Sequence, residues 1–219
     1  MAKQLFTTFI LLIATICLNA QEKIRVACVG NSITYGSGIK NRDKDSYPAQ
    51  LQSLLGDEYE VVNFGRGGRT GLSKGDRPYI KEPEYKAALE FQPHIVVIKF
   101  GTNDTKPQNW VHKDEFASDM EAMGKSFEAL DSKPEVILCY PATAYKIQWG
   151  INDSLIVSDV IPIIKKVAKK NKWKTINLHK ATAKMPEHFP DAIHPDPYAA
   201  GVIAKKVYKA IKLSFFKIG

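Results

Sequence analysis

Cysteine is scarce in this chain, and the patterns of several common cofactor sites are missing. Only three of the 219 residues are cysteines, and one of them, Cys17, lies in an apolar N-terminal stretch. Cys28 and Cys139 each fall within an apolar, strand-like run, so we expect both thiols to be buried and reduced. This count and spacing argue against a disulfide scaffold and against a metal-binding cysteine cluster. Neither GxGxxG nor GxxxxGK[ST] occurs, which argues against a phosphate-binding loop.

The chain also lacks the alternation of basic and aromatic residues that is typical of nucleic-acid binding. It carries 31 Lys and Arg against 23 Asp and Glu, a net charge of +8. The positive charges are scattered, apart from a local run of lysines between Lys165 and Lys174. Such a run usually forms the solvated face of a helix. We therefore expect no nucleic-acid partner.

Charge is almost absent from residues 1–20, where Lys3 precedes an apolar stretch that ends in small residues. This pattern predicts a secretory signal peptide that is cleaved after Ala20. A membrane anchor is the alternative, but the apolar core is short for a bilayer span. We expect a mature domain of residues 21–219, secreted or periplasmic, with no stable membrane span after cleavage.

Short apolar runs alternate with amphipathic stretches along the rest of the chain. Strands are predicted at 24–29, 59–63, 94–100, 135–140 and 173–178, and helices near 46–56, 82–92, 113–131, 154–172 and 197–213. This alternation predicts an α/β fold, a three-layer α/β/α sandwich around a parallel sheet. No repeat, low-complexity tract or linker interrupts it, so a single domain is expected. Pro162 could kink the fourth helix.

Polar motifs follow the first three predicted strands. Ser32 follows strand one, the cluster Gly65–Gly68 follows strand two, and 101–104 (GTND) follows strand three. Ligands of parallel sheets bind at the carboxyl ends of the strands. We therefore expect the three motifs to meet at one edge of the sheet.

A serine, a histidine and a carboxylate have the types and spacing of a nucleophilic triad. Ser32 is predicted as the nucleophile, His194 as its base and Asp191 as the group that orients the histidine. Each residue alone has a plainer interpretation: a helix cap for Ser32 and a surface loop for His194. His188 remains a weaker candidate for the base. Glycine N–H groups of the second motif and the Asn103 amide could stabilise an oxyanion.

Taken together, the chain resembles the SGNH (GDSL-like) hydrolase family. Ser32 matches its first block, Gly68 the second (N-x-G-x-x-G), Asn103 the third (GxND) and Asp191 with His194 the last (DxxH). The resemblance implies a flavodoxin-like five-stranded sheet of order 2-1-3-4-5, no cofactor or metal, and an acyl-serine intermediate. It also implies an oxyanion hole from the N–H groups of Ser32 and Gly68 and the Asn103 side chain. One departure is Asn31, where the family's first block usually has aspartate.

The substrate expected from the resemblance is an acetylated glycan or another small ester. Secreted chains of this size resemble carbohydrate O-acetylesterases, including sialate O-acetylesterase-like proteins. Trp110, Tyr145 and Trp149 lie in predicted loops near the cleft and could stack on sugar rings, although loop packing is the alternative. Two other functions remain open: a lipase, lysophospholipase or acyltransferase with the same triad, and an inactive glycan-binding fold. An N-x-[ST] site at Asn103 would block the oxyanion hole if glycosylated, which favours a bacterial source.

Overall fold

A computed structural model describes residues 22–215 of the chain. The predicted signal peptide, residues 1–20, lies outside the described residues. None of the helices within residues 22–215 combines the length and the apolar character that a bilayer span requires.

Five parallel strands form one sheet: β1 (Ile24–Gly30), β2 (Tyr59–Gly65), β3 (Ile95–Lys99), β4 (Glu135–Tyr140) and β5 (Lys174–Asn177). Their order is 2-1-3-4-5, as the resemblance implied. The predicted α/β fold and its strand order are therefore confirmed. The order reverses at β1, which lies between β2 and β3, and such a switch point is where open parallel sheets bind ligands.

The central strands are buried on both faces, which is why they read as continuous apolar runs. In β3, Ile95 and Val97 face one apolar core, which also contains Cys28 and Cys139. Their neighbours Val96 and Ile98 face a second core on the other side of the sheet. Both described cysteines are free and buried, as the sequence predicted.

Helices cover the two faces of the sheet. In chain order they are α1 (Ser32–Tyr35), α2 (Arg42–Asp45), α3 (Tyr47–Leu55), α4 (Pro83–Glu90), α5 (Pro107–Trp110), α6 (Phe116–Glu128), α7 (Asp153–Leu155), α8 (Ile161–Asn171), α9 (Leu178–Thr182) and α10 (Pro197–Phe215). The apolar residues of α3 and α10 belong to the first core, and those of α6 and α8 to the second. This is the expected three-layer arrangement.

The helix predicted at 154–172 consists of three segments rather than one. A π-helical segment, Ile156–Val160, joins α7 to α8. Pro162 lies at the start of α8, where its missing N–H removes a hydrogen bond from the preceding turn. The wider π turn accommodates that loss, and the apolar residues Val160 and Ile164 remain fully buried.

Candidate active site

Ser32 is placed at the tip of a tight turn between β1 and α1. β1 ends at Gly30, Asn31 caps the helix by accepting a hydrogen bond from the Ile33 N–H, and Ser32 is the first helical residue. A Cβ on Gly30 would lie 2.2 Å from Thr34 Oγ1 and 2.9 Å from the Lys99 carbonyl oxygen. The turn is therefore possible only with glycine at this position.

Ser32, His194 and Asp191 form one continuous chain of hydrogen bonds. His194 Nε2 lies 2.8 Å from Ser32 Oγ, across 162 residues of sequence. His194 Nδ1 lies 2.6 Å from Asp191 Oδ2. Ser32 is only 6% exposed, so its hydroxyl group is held at the bottom of the site rather than on the open surface. This is the geometry in which a histidine can accept a serine proton while a carboxylate fixes its ring.

The carboxylate is fixed by its own backbone as well as by the histidine. Asp191 Oδ1 accepts hydrogen bonds from the N–H groups of Ile193 (3.0 Å) and His194 (2.7 Å). Partial burial acts to raise the pKa of Asp191, but these bonds and the His194 ring outweigh it and lower that pKa below its ordinary value. Asp191 is therefore a carboxylate at neutral pH, the state that favours a proton on Nδ1 and leaves Nε2 facing the serine.

The glycine loop after β2 brings a backbone N–H to the same edge of the sheet. Gly68 has φ +77, a left-handed conformation that L-residues with a side chain rarely adopt. Among residues 22–215, no backbone carbonyl accepts from the N–H of Ser32 or Gly68. Asn103 is 4% exposed and its Nδ2 donates to the Arg69 carbonyl oxygen at 3.0 Å, which uses one of its two amide hydrogens. The other amide hydrogen remains for a ligand.

A buried carboxylate, Asp104, joins the second and third motifs. Its two oxygens accept from the N–H groups of Leu72 and Gly101, each at 2.8 Å. Burial raises the pKa of Asp104 to about 6, although these backbone donors act in the opposite direction. Asp104 thus holds the loop after β3 against the loop after β2, which sets the position of Asn103 relative to Gly68.

The three aromatic residues proposed as sugar contacts differ in their surroundings. Trp149 is 56% exposed, and its ring centroid lies 5.6 Å from that of His194. Trp110, by contrast, is buried against Phe116 and its Nε1 lies 3.3 Å from Asp159, so it packs in the core. The hydroxyl of Tyr145 is occupied by the Thr182 carbonyl oxygen and the Met185 N–H. Of the three, Trp149 alone is both exposed and beside the triad.

Two further histidines have carboxylate partners, which sequence spacing did not indicate. His188 Nδ1 lies 2.8 Å from Asp196 Oδ2, and its ring stacks on Tyr198 at 4.2 Å. His179 Nε2 lies 3.1 Å from both oxygens of Asp153. Neither ring has a serine hydroxyl within hydrogen-bond distance among the described residues. The structure therefore brings His194, and not His188, to the Ser32 hydroxyl.

Sequence reasoning also missed Lys99, a fully buried lysine at the end of β3. Its Nζ lies 3.1 Å from Asn31 Oδ1, directly beneath the turn that carries Ser32. Burial lowers the pKa of Lys99 to about 7. The available signal was a lysine that ends an otherwise apolar strand next to the third motif.

A serine hydroxyl bonded to a histidine, a fixed carboxylate and N–H groups at the same edge of the sheet can together carry out acyl transfer through serine, the chemistry of carboxylic ester hydrolases. Comparison with known proteins agrees with this class. Residues 28–200 match the GDSL-like Lipase/Acylhydrolase family, and the chain belongs to that family.

A curated relative is an acetylxylan esterase from Xylanibacter ruminicola, to which this chain is 43% identical over 210 residues. The match covers 88% of this chain and 44% of the relative, so the chain spans less than half of that protein's length.

Solved structures of similar fold cover this chain almost as fully. An acetyl xylan esterase (AlAXEase) has a TM-score of 0.69 at 23% identity and covers 86% of this chain and 100% of its own. A carbohydrate acetylesterase from Sinorhizobium meliloti has a TM-score of 0.69 at 18% identity, covering 87% and 99%. The aryl esterase of M. smegmatis has a TM-score of 0.68 at 16% identity, again covering 87% and 99%. At these identities the likeness shows the fold.

Proposed function

We propose that this protein is a serine esterase that removes acetyl groups from carbohydrates. The observation that carries the proposal is the chain of hydrogen bonds from Ser32 Oγ through His194 to Asp191. The identity of 43% to an acetylxylan esterase supports acetyl as the acyl group and a plant-type polysaccharide as its carrier.

In the proposed reaction, Ser32 Oγ attacks the ester carbonyl carbon as His194 Nε2 takes the hydroxyl proton. The resulting tetrahedral intermediate collapses, the bond to the sugar oxygen breaks, and His194 returns the proton to that oxygen. Water then attacks the acetyl-serine with the same histidine as base. Acetate leaves and Ser32 is protonated again, so the cycle needs no other reactant.

The negative oxygen of the intermediate would be stabilised by three donors: the N–H groups of Ser32 and Gly68 and the remaining amide hydrogen of Asn103. Each of them is held before substrate arrives, by the helix cap at Asn31, the left-handed turn at Gly68 and the Arg69 carbonyl oxygen, respectively. Loss of one such donor costs about 3 kcal/mol in the barrier. A preorganised hole of this kind accounts for a large part of the proposed rate enhancement.

Trp149 would provide the surface on which a sugar ring rests while its acetyl group enters the site. Its exposed ring is close enough to His194 for a carbohydrate bonded to the reacting oxygen to contact both. A plant cell-wall polysaccharide lies outside the cell that degrades it, so the proposed substrate and the predicted signal peptide together support a secreted or periplasmic location.

The test is hydrolysis of p-nitrophenyl esters from acetate to dodecanoate, together with acetate release from acetylated xylan. We expect acetate to be the preferred acyl group, and Ser32→Ala to lower kcat by about 10⁴-fold or more. Circular dichroism of the variant controls for folding. A preference for long acyl chains would favour a lipase, and equal rates in both proteins would favour an inactive binding fold.

A further inference from the structure

A buried amine lies directly behind the proposed nucleophile, and the reaction described above does not use it. Lys99 is fully buried and pairs in register with Gly30, the residue at which β1 ends. Its side chain projects to the same side of the sheet as Ile95 and Val97, into an apolar core. Burial of a lysine in such a core is costly, which indicates that its amine makes an interaction that the protein requires.

The described partner of that amine is the side chain of Asn31. Asn31 Oδ1 accepts from Lys99 Nζ at 3.1 Å and from the Ile33 N–H at 3.2 Å. The Asn31 main-chain carbonyl accepts from the Tyr35 N–H at 2.9 Å. Asn31 is also fully buried. These hydrogen bonds hold it at both its side chain and its backbone.

Holding Asn31 fixes the direction of one oxyanion donor. The peptide group that contains the Asn31 carbonyl also contains the N–H of Ser32, because the peptide unit is planar. A change in the backbone torsions of Asn31 therefore moves both the Ser32 N–H and the serine side chain that follows it. A displacement of about 1 Å at such a group can cost about 100-fold in rate.

We propose that Lys99 is a positioning residue, which holds Asn31 and through it the nucleophile and N–H of Ser32. This inference rests on the proposed function, because it assigns Lys99 a role in the same reaction. Lys99 touches no substrate; it acts through the hydrogen bond to Asn31. The neutral amide of Asn31, where the first block of the family usually has a carboxylate, accepts that bond without forming an ion pair in the core.

A double-mutant cycle tests the pair. Lys99→Met keeps an unbranched side chain that is one atom shorter and removes the amine, and Asn31→Ala removes the acceptor. We expect each single variant to lower kcat for p-nitrophenyl acetate by about 10- to 100-fold with KM within about threefold. The double variant should be no slower than the slower single variant, since residues that act as one unit are not additive. Losses that multiply in the double variant would overturn the proposal.

Val97→Ala is the matched control, because Val97 is equally buried on the same face of β3. It should lower the melting temperature and leave kcat unchanged. Lys99→Met with the kcat of the wild-type protein would contradict the positioning role. The rate at which a serine-directed phosphonate labels Ser32 should fall in parallel with kcat. Because labelling needs no substrate, a wild-type protein that is labelled but hydrolyses no acetyl ester would contradict the proposed function and leave the role of Lys99 testable.

If Lys99→Met does not fold, two variants that keep the lysine decide the question. The carboxylate introduced by Asn31→Asp can still accept from Lys99 and Ile33, whereas the methyl group left by Asn31→Ala accepts from neither. We expect Asn31→Asp to retain kcat within about threefold and Asn31→Ala to lose at least about tenfold. Equal losses in the two would show that the hydrogen bond does not position Ser32.

Discussion

At the scale of single residues, the site combines groups that are fixed with one that is exposed. Ser32, Asn103 and Asn31 are nearly or fully buried, and each has a defined hydrogen-bond partner. Trp149 is more than half exposed and has a left-handed backbone, with φ 51. Strained conformations of this kind are concentrated at ligand sites. The chemistry would therefore depend on the buried groups, and the choice of substrate on the tryptophan.

Replacement of Trp149 separates these two functions. We expect Trp149→Ala to raise KM for an acetylated xylo-oligosaccharide by about 10-fold, which corresponds to about 1.4 kcal/mol of lost sugar stacking. Turnover of p-nitrophenyl acetate should change by less than about threefold, because Ser32 and His194 keep their contact. Steady-state kinetics with both substrates measures the difference.

The control for this prediction is Tyr198→Ala, which removes another exposed aromatic ring, one that stacks on His188. Tyr198→Ala should leave KM and kcat for both substrates unchanged. If Trp149→Ala lost activity equally on both substrates, Trp149 would support His194 rather than a sugar.

Among single residues, the sequence allowed prediction of those that lie in a distinctive local motif. Ser32, Asp191 and His194 could be predicted because their types and order are distinctive, and the structure brings them together. Lys99 could not, because its contact with Asn31 spans 68 residues and depends on the register of β1 with β3. The core position of Trp110 could not be predicted either, because an aromatic residue in a predicted loop has the same local pattern whether it packs in the core or contacts a substrate.

At the scale of secondary structure elements, close packing decides positions where helix propensity would suggest otherwise. Gly124 lies inside α6, and a Cβ there would be 2.1 to 2.8 Å from three ring atoms of Trp173. Glycine in the middle of a helix ordinarily costs about 1 kcal/mol relative to alanine. Here the close approach of α6 to Trp173 reverses that preference.

We therefore expect Gly124→Ala to destabilise the protein, although the substitution improves helix propensity. Overpacking of this kind costs about 1 to 3 kcal/mol, which exceeds the gain in propensity. Urea denaturation would show a lower midpoint with kcat retained, because Trp173 packs in the second core, where its Nε1 donates to Glu128 and not to a residue of the triad.

Ser118→Ala at an exposed position of the same helix is the matched control and should change the midpoint little. A variant Gly124→Ala that is as stable as the wild-type protein would show that Trp173 can move aside.

The elements themselves were largely predictable because a parallel sheet has a strong sequence signature. All five strands were located from apolar runs, and their alternation with helices predicted the layers. The division of 154–172 into three segments was not predicted, because the apolar spacing continues through the π turn at Ile156–Val160. Hydrophobic periodicity does not distinguish a regular turn from one that is a residue wider.

At the scale of the whole molecule, buried ionisable groups make the free energy of unfolding depend on pH. Burial lowers the pKa of Lys99 to about 7, against about 10.4 in an unfolded chain. Between these values the unfolded state binds one more proton than the native state, so stability rises with pH. Cys139 acts in the opposite direction: burial raises the pKa of its thiol to about 12, so above about 8.5 the unfolded state loses a proton that the native state keeps. Cys28 is raised in the same way.

The two effects predict a maximum of stability near pH 8.5. From about pH 7 to 8.5 only Lys99 among these three groups contributes, and it should raise the free energy of unfolding by about 1.4 kcal/mol per pH unit, or about 2 kcal/mol in all. Above that pH, the unfolded state loses a proton from each of the two thiols but holds only one extra proton on the amine, so stability falls. Urea denaturation across this range measures how the free energy of unfolding varies with pH.

Lys99→Met should abolish the rise in stability below pH 8.5 and retain the decline above it, because Cys28 and Cys139 are unchanged. An equal rise in the variant would mean that the amine of Lys99 keeps its proton in the folded protein, with Asp104 as the nearby negative charge that could stabilise it.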